Sequence, residues 1–155
     1  MPTVTVVLLF GLVAASATDV LTRRLPDFLT IPLTGAGLLI TWVSSPSDVL
    51  AHFIAAAVAY SSLWLVARGY RVFRGRDGLG LGDAKLLAAA GAWLGPLFLA
   101  PVVLIGTVLA LLFVLARHLF GRQISSQTTL PFGPFLSIGF FGCWCIKLGG
   151  GSIFG

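Results

Sequence analysis

The stretch Leu86–Ala116 reads LLAAAGAWLGPLFLAPVVLIGTVLALLFVLA and contains no charged residue. A helix that crosses a bilayer needs about 20 mostly apolar residues, so this stretch is too long for a single crossing. Gly95 and Pro96 interrupt it, and proline disfavours helix at and just before its own position. We therefore predict a short helix over Ala84–Leu94 and a full transmembrane helix over Leu97–Ala116.

The other uncharged segments complete a predicted bundle of six spans. Each is long enough for one crossing, and they are Met1–Thr18, Phe28–Ser47, Val49–Ala67 and Gln123–Ile146. Across the 155 residues 57% are hydrophobic and only 10% are charged, whereas about a quarter of an ordinary soluble domain is charged. This composition excludes a disordered chain. The sequence thus predicts an all-α polytopic membrane protein with one domain, residues 1–155.

The basic residues predict an orientation for these spans. Nine of the ten lie in the gaps after the first, third and fifth spans: Arg23, Arg24, Arg68, Arg71, Arg74, Arg76, Lys85, Arg117 and Arg122. Only Lys147 lies on the other side. Because positive residues accumulate on the cytoplasmic side of membrane proteins, we predict that these three gaps are cytoplasmic and that both termini are outside.

Two other functional classes are not indicated. The net charge of +5 does not predict nucleic-acid binding, because the basic residues occupy short gaps between apolar runs rather than one face of a soluble domain. Cys143 and Cys145 lie inside an apolar run, and their helical spacing points them to different sides. We expect small buried hydrophobes there, not a disulfide or a metal site.

All five acidic residues are aspartates, and three of them have simple structural interpretations. Asp48 lies in an outer loop and is expected to cap the third span, and His52, one turn later, is a candidate partner. Asp27 follows a proline before the second span and is a candidate N-cap. Asp77 lies in a basic loop and is expected to be solvated.

Asp19 and Asp83 differ, because each joins the membrane-embedded part of its helix at the same predicted face. Two neighbouring carboxyls cannot both ionise easily and therefore share a proton. One can then activate water as a base while the other polarises a scissile carbonyl, as in an aspartic protease. Charge placement alone leaves an alternative open, in which Asp19 pairs with Arg23 and Asp83 pairs with Lys85.

Glycine and proline surround these acids. The sequence Gly78–Asp83 reads GLGLGD, and its alternating glycines allow an extended peptide to approach Asp83. A dinucleotide loop is not indicated, because no strand precedes the glycines. The segment Pro131–Phe135 begins the last span and is compatible with the wall of a water-filled cavity or with a kinked helix entry.

At these residues the sequence resembles the type IV prepilin peptidases, membrane aspartic proteases of the same Gly-x-Gly-Asp type as presenilin and signal peptide peptidase. The first family motif, an aspartate at a helix end followed by Pro-Asn or Pro-Asp, is matched by Asp19 with Pro26 and Asp27. The second, Gly-x-Gly-Asp-x-Lys, is matched by Gly80–Lys85. Pro131–Phe135 is similar to the final segment of the family.

The resemblance implies that Asp19 and Asp83 form a catalytic dyad that needs no metal or other cofactor. It implies removal of a short basic leader from type IV prepilin-like or pseudopilin precursors, at the cytoplasmic face of the bacterial plasma (inner) membrane. Supporting or substrate-positioning roles would fall on the other motif positions and their neighbours, which are Gly80, Gly82, Lys85, Arg23, Pro26, Asp27, Pro131, Gly133 and Pro134.

Many family members also carry an N-terminal region with two Cys-x-x-Cys pairs that methylates the new N-terminus with S-adenosylmethionine. This sequence starts in the protease half, so we expect peptidase activity without methylation. The rival hypothesis is a small proton- or cation-coupled transporter that uses Asp19 and Asp83 as relays. Such a path would need Asp48 and His52 to continue it to the outer face.

Overall fold

The computed structural model describes residues 2–22, 25–75, 80–120 and 132–149. Six α-helices lie within these ranges: α1 (Pro2–Thr22), α2 (Asp27–Ser44), α3 (Val49–Arg74), α4 (Leu81–Leu94), α5 (Leu99–Leu119) and α6 (Gly133–Gly149). Short 3₁₀ turns, Pro46–Asp48 and Pro96–Phe98, precede α3 and α5. The described ranges contain no strand, which confirms the predicted all-α class.

Within the described ranges, four helices are long and apolar enough to cross a bilayer: α1, α2, and α3 and α5 together with the turns before them. The 14 residues of α4 extend about 21 Å at about 1.5 Å per residue, less than a hydrocarbon core of about 30 Å. The last span was predicted to start at Gln123, which lies outside the described ranges, and the described helix α6 runs from Gly133 past Ile146 to Gly149. The chain is a multi-pass membrane protein whose α4 and α6 are short.

The uncharged stretch Leu86–Ala116 is divided where the sequence predicted. Helix α4 ends at Leu94, Gly95 has a φ of 84°, and α5 begins at Leu99. A left-handed backbone favours glycine, and a Cβ at Gly95 would lie only 2.8 Å from Nε2 of His52. The break therefore depends on a glycine both for its backbone conformation and for its small size.

Helix α4 is the centre of the bundle. It packs against α2, α3, α5 and α6, and 11 of its 14 residues are buried. Its small residues allow neighbouring helices to come close: a Cβ at Gly91 would lie 2.7 Å from the backbone nitrogen of Ala56 on α3. Close backbone contact through small residues is typical of helices packed within membranes. The helix that carries Asp83 is thus fixed on several sides.

Polar side chains hold the C-terminal end of α4. The last carbonyls of a helix have no partner within it and attract positive charge. Here Nζ of Lys147 donates hydrogen bonds to the carbonyl oxygens of Trp93 and Leu94, at 3.0 and 3.2 Å. Nδ1 of His52 lies 2.9 Å from the carbonyl oxygen of Ala92. Residues from α6 and α3 therefore bind the end of α4 that is remote from Asp83.

His52, the candidate partner of Asp48, makes its hydrogen bonds to α2 and α4, and Asp48 acts on it only electrostatically. The His52 ring is buried within the bundle, with Nδ1 3.3 Å from Oγ1 of Thr41. Asp48 does precede α3, but its side chain makes no capping hydrogen bond. Its φ of −94° and ψ of −9° are helical, whereas a capping residue is normally extended. The 3₁₀ turn before α3 therefore prevents Asp48 from capping the helix.

The two cysteines of α6 have different environments. Cys143 is buried as predicted, but Cys145 is exposed, and both thiols are free. Two residues correspond to a rotation of about 200° around a helix, so only one of the two side chains can face the core. The prediction of a buried side chain is wrong for Cys145.

Candidate active site

Asp19 belongs to the face of α1 that points into the bundle. The buried residues of this helix are Leu8, Leu12, Ala15 and Asp19, and their spacing of three and four is that of one helical face. Only 7% of Asp19 is exposed. The helix continues to Thr22, so Asp19 lies in its last turn. The apolar stripe thus carries a carboxyl into the protein interior.

The first residue of α6 binds the Asp19 carboxyl directly. The backbone N–H of Gly133 donates a hydrogen bond to Oδ2 of Asp19, at 3.0 Å. The first N–H groups of a helix have no partner within the helix, and its positive end stabilises a carboxylate. A Cβ at Gly133 would lie 2.6 Å from the same oxygen, so this contact requires a glycine. Pro134 follows in the first turn of α6, where proline is tolerated.

Asp83 is the third residue of α4 and is only 6% exposed. Its backbone N–H donates to the carbonyl oxygen of Gly80, at 3.1 Å. Its carboxyl group also lies close to Gly80, because a Cβ at that glycine would be 3.3 Å from Oδ2 of Asp83. Gly80 has an extended backbone, with φ −68° and ψ 128°. The first glycine of the motif therefore lies beside the acid.

The structure brings Asp19 and Asp83 to the same end of the bundle, where α1 ends and α4 begins. Asp19 is close enough to Asp83 to act on it electrostatically. The segment after α1 also contacts the start of α4: a Cβ at Gly82 would lie 2.7 Å from Cβ of Leu25. Gly82 was predicted to give a substrate room, and in the structure Leu25 packs against it. This contact joins the end of α1 to the start of α4.

Lys85 pairs with Asp27 rather than with Asp83. Its Nζ forms an ion pair with Oδ1 of Asp27, and both side chains are partly exposed. The alternative in which Asp83 is salt-bridged to Lys85 is therefore wrong. Asp27 is also not the N-cap of α2, because Pro26 occupies that position and Asp27 is the first helical residue. Its carboxylate is directed to α4 instead.

Some predicted residues lie outside the described ranges: Arg23, Asp77 and Pro131.

Sequence reasoning missed the contacts of His52 and Lys147 with the end of α4, although unpaired carbonyls before Gly95 and Pro96 are a signal for such partners. It also missed the hydroxyl of Ser137, which is buried on α6 without a hydrogen-bond partner in the described part of the chain. Nor did any motif point to a groove of about 740 Å³ between α1 and α6.

Comparisons with known proteins identify the family of the chain. A sequence model of the "Type IV leader peptidase family" matches residues 6–115. A "Prepilin leader peptidase/N-methyltransferase" of Burkholderia pseudomallei (strain K96243) is 42% identical over 151 residues, 91% of this chain and 48% of the relative. The protein with the same name from Dickeya chrysanthemi is 41% identical over 147 residues, 94% of this chain and 52% of the relative.

A shorter relative is matched over most of its own length. "Leader peptidase HopD" of Escherichia coli is 38% identical over 127 residues, which are 81% of this chain and 82% of that protein. The chain spans about half the length of the two methyltransferase-containing relatives. No solved structure is significantly similar to it. The family model matches most of the chain, and the chain covers most of a relative that is 38% identical to it. The chain therefore belongs to the type IV leader peptidase family.

Proposed function

We propose that the chain is a membrane aspartic endopeptidase that removes the leader from type IV prepilin-like precursors at the cytoplasmic face of the bacterial inner membrane. The observation that carries this proposal is the burial of Asp19 and Asp83 at one end of the bundle. Two acids in a membrane protein are costly to bury and are functional candidates by default. The names of the relatives supply the substrate class.

The surroundings of the two carboxyls assign them different roles. The N–H of Gly133 stabilises the ionised form of Asp19. The carboxyl of Asp83 accepts no hydrogen bond from the residues that the structure describes, and a second charge beside Asp19 is unfavourable. Asp19 is therefore the base, and Asp83 carries the shared proton.

The cut follows from these roles. Asp19 takes a proton from a water molecule as the water oxygen bonds to the scissile carbonyl carbon, and Asp83 gives its proton to the carbonyl oxygen. The tetrahedral intermediate then collapses. Its C–N bond breaks, the leaving amine takes the proton held by Asp19, and a hydroxyl proton returns to Asp83. Water is consumed, one carboxyl and one amine terminus are formed, and the dyad is restored.

The N-terminal end of α4 provides access for a substrate backbone. Gly80 is extended and carries no side chain beside Oδ2 of Asp83. Irregular backbone at membrane depth is tolerated where it lines a cavity. A peptide that enters in extended form therefore passes the acid without a steric barrier from Gly80.

The cytoplasmic location is supported by charge and connectivity. Helices α1, α3 and α5 end, and α2, α4 and α6 begin, at the end of the bundle that carries the dyad. Nine of the ten basic residues belong to the gaps at this end, which favours the cytoplasmic side. The transporter alternative lacks support, because His52, which would continue a proton path, is held against α4.

Co-expression with a prepilin-like precursor tests the proposal. Mass spectrometry of the precursor should show loss of the leader with the wild-type chain and no loss with Asp19→Asn or Asp83→Asn. The matched control is Asp48→Asn, which changes an aspartate at the opposite end of the bundle and should leave cleavage intact. Flux of protons or cations through proteoliposomes, with the precursor left uncut by the wild type, would favour the transporter.

A further inference from the structure

Helices α4 and α6 both begin beside the dyad, but their first N–H groups are used differently. Such N–H groups have no partner within their own helix. At the start of α6 the N–H of Gly133 is taken by the carboxyl of Asp19. At the start of α4 the capping residue is Gly80, which has no side chain to accept a hydrogen bond. In the described part of the chain, the turn at this end uses the N–H of Asp83, which donates to the carbonyl oxygen of Gly80. The N–H of Gly82, the second residue of α4, is left available.

The missing side chain of Gly80 leaves a vacant position at the start of α4. Gly80 has the extended backbone of a capping residue, and a capping side chain normally carries an oxygen that accepts from the second or third N–H of the helix. A Cβ at Gly80 would lie 4.0 Å from the nitrogen of Gly82 and 3.3 Å from Oδ2 of Asp83. An oxygen of another molecule, placed where a capping side chain would carry its own, is therefore within reach of both groups.

The carboxyl of Asp83 lies against this vacant position without a partner. Asp83 is only 6% exposed, and its carboxyl accepts no hydrogen bond from the residues that the structure describes. Burying a polar group without a hydrogen bond is unfavourable, so this carboxyl indicates a ligand that supplies the partner. Gly80 is exposed, which leaves the position open to an incoming peptide. Because a protonated carboxyl and an N–H are both donors, the ligand atom is an acceptor such as a carbonyl oxygen.

We propose that the N–H of Gly82 is a catalytic group that binds the oxygen of the scissile carbonyl together with the carboxyl of Asp83. This inference rests on the proposed peptidase function. A carbonyl oxygen has two lone pairs, so one takes the proton of Asp83 while the other accepts the hydrogen bond of Gly82. Negative charge develops on this oxygen as water adds to the carbonyl carbon, and an N–H directed at it stabilises the transition state more than the bound substrate. Gly82 keeps its proton, so the balance of the reaction is unchanged.

The first turn of α4 is held in place before a substrate binds. Leu25 packs against Gly82, with its Cβ 2.7 Å from the position that a Cβ of the glycine would take. Lys85, one turn into α4, pairs with Asp27 at the start of α2. A donor that is already fixed needs no reorganisation during the reaction and is therefore effective in catalysis. The two glycines then have separate roles: Gly80 leaves the oxygen position vacant, and Gly82 supplies the donor.

Replacing the amide of Gly82 by an ester tests the proposal, because it removes the donor without adding a side chain. Glycolic acid, introduced at position 82 by nonsense suppression, exchanges the N–H for an oxygen atom. The matched control replaces Phe28 with phenyllactic acid. Phe28 is the second residue of α2, at the same end of the bundle, and is 72% exposed. The substrate is a full-length prepilin-like precursor, cut by the wild type and by both ester variants.

The ester at position 82 should lower kcat about a hundredfold, the loss expected for one donor to a developing oxyanion. The KM should stay within about threefold of wild type, since the hydrogen bond strengthens in the transition state. The ester at position 28 should leave both constants near wild type. A wild-type kcat for the ester at position 82 would overturn the role of Gly82 and leave the peptidase assignment intact. Failure of the wild-type chain to cut the precursor would overturn the peptidase assignment, and this inference with it.

An NMR measurement tests the same contact without relying on the cleavage rate. Labelling with ¹³C-carbonyl leucine and ¹⁵N-glycine selects the glycines that follow a leucine, which are Gly80, Gly82, Gly95 and Gly149. The ester variant lacks the Gly82 signal and thereby identifies it. A peptide difluoroketone that spans the cleavage site forms a hydrate, whose oxygens stand in for those of the tetrahedral intermediate.

Addition of the difluoroketone should shift the Gly82 amide proton downfield, because this N–H gains a hydrogen bond. The Gly95 amide is an internal control, since its N–H already donates to the carbonyl oxygen of Gly91, and it should not shift. An unchanged Gly82 signal, at a concentration of the difluoroketone that stops cleavage by the wild type, would overturn the proposal.

Discussion

The backbone N–H of Gly133 donates a hydrogen bond to Oδ2 of Asp19 across 3.0 Å. This contact joins the start of α6 to the last turn of α1, residues that are far apart in sequence. It also makes the two acids unequal, because the positive end of a helix faces Asp19. The proposed division into base and proton donor depends on this hydrogen bond.

Gly133→Ala should abolish most of the cleavage activity. The added Cβ would lie 2.6 Å from Oδ2 of Asp19, so the carboxyl or α6 must move, and a displacement of about 1 Å at a reacting group can lower a rate about a hundredfold. The measurement is the rate of leader removal by purified protein. Gly149→Ala, in open space on the same helix, is the control. Wild-type rates for Gly133→Ala would show that Asp19 needs no close contact with α6.

Gly82→Ala should destabilise the junction between the end of α1 and the start of α4. A Cβ there would lie 2.7 Å from Cβ of Leu25, and such overpacking typically costs about 1–3 kcal/mol. Removing part of the opposing side chain with Leu25→Ala should recover stability in the double variant. Thermal unfolding in detergent provides a double-mutant cycle. Strictly additive effects would mean that the two residues do not interact.

The ion pair between Lys85 and Asp27 should make a small contribution to stability. Both side chains are partly exposed, and exposed pairs contribute up to about 1 kcal/mol and weaken with salt. Lys85→Asp should reduce cleavage, because the new aspartate repels Asp27 near the first turn of α4. The double variant Lys85→Asp with Asp27→Lys should restore part of the cleavage activity at low salt. If the exchanged pair is no better than Lys85→Asp, the residues act separately.

Lys147→Met should lower the stability of the bundle while leaving the chemistry of the dyad intact. The variant leaves the carbonyl oxygens of Trp93 and Leu94 without their cationic donor, and an unpaired buried polar group costs about 1–3 kcal/mol. Lys147 lies at the opposite end of α4 from Asp83. The unfolding temperature of Lys147→Met should fall below that of the wild type. Lys147→Arg keeps a cationic donor and should unfold at a higher temperature than Lys147→Met. A loss of kcat at temperatures where Lys147→Met is folded would contradict this purely structural role.

The helical architecture, and the position of Asp19 and Asp83 at one end of the bundle, could be predicted because they depend on local sequence. The break at Gly95 requires a glycine and a following proline, and the stripe that ends at Asp19 has helical spacing. The motifs around Asp19 and Asp83 then indicated the family, which the comparisons show.

Contacts between helices could not be predicted in the same way. The partners of His52 and Asp27 lie on α4, 40 and 58 residues away in sequence, and nearer charges offered plausible alternatives. Gly82 illustrates the same limit, because an alternating glycine motif does not reveal whether a substrate or Leu25 occupies the free space. The groove between α1 and α6 is formed by two helices at opposite ends of the chain, so no local pattern marks it.

The cleavage rate of the purified chain on a full-length prepilin-like precursor tests the central claim most directly. Asp19→Asn and Asp83→Asn should each lower the rate at least about a hundredfold, the contribution expected of a general acid or base, while Asp48→Asn remains near wild type. Cleavage by either dyad variant within about threefold of the wild-type rate would contradict the assignment of Asp19 and Asp83 as the catalytic pair.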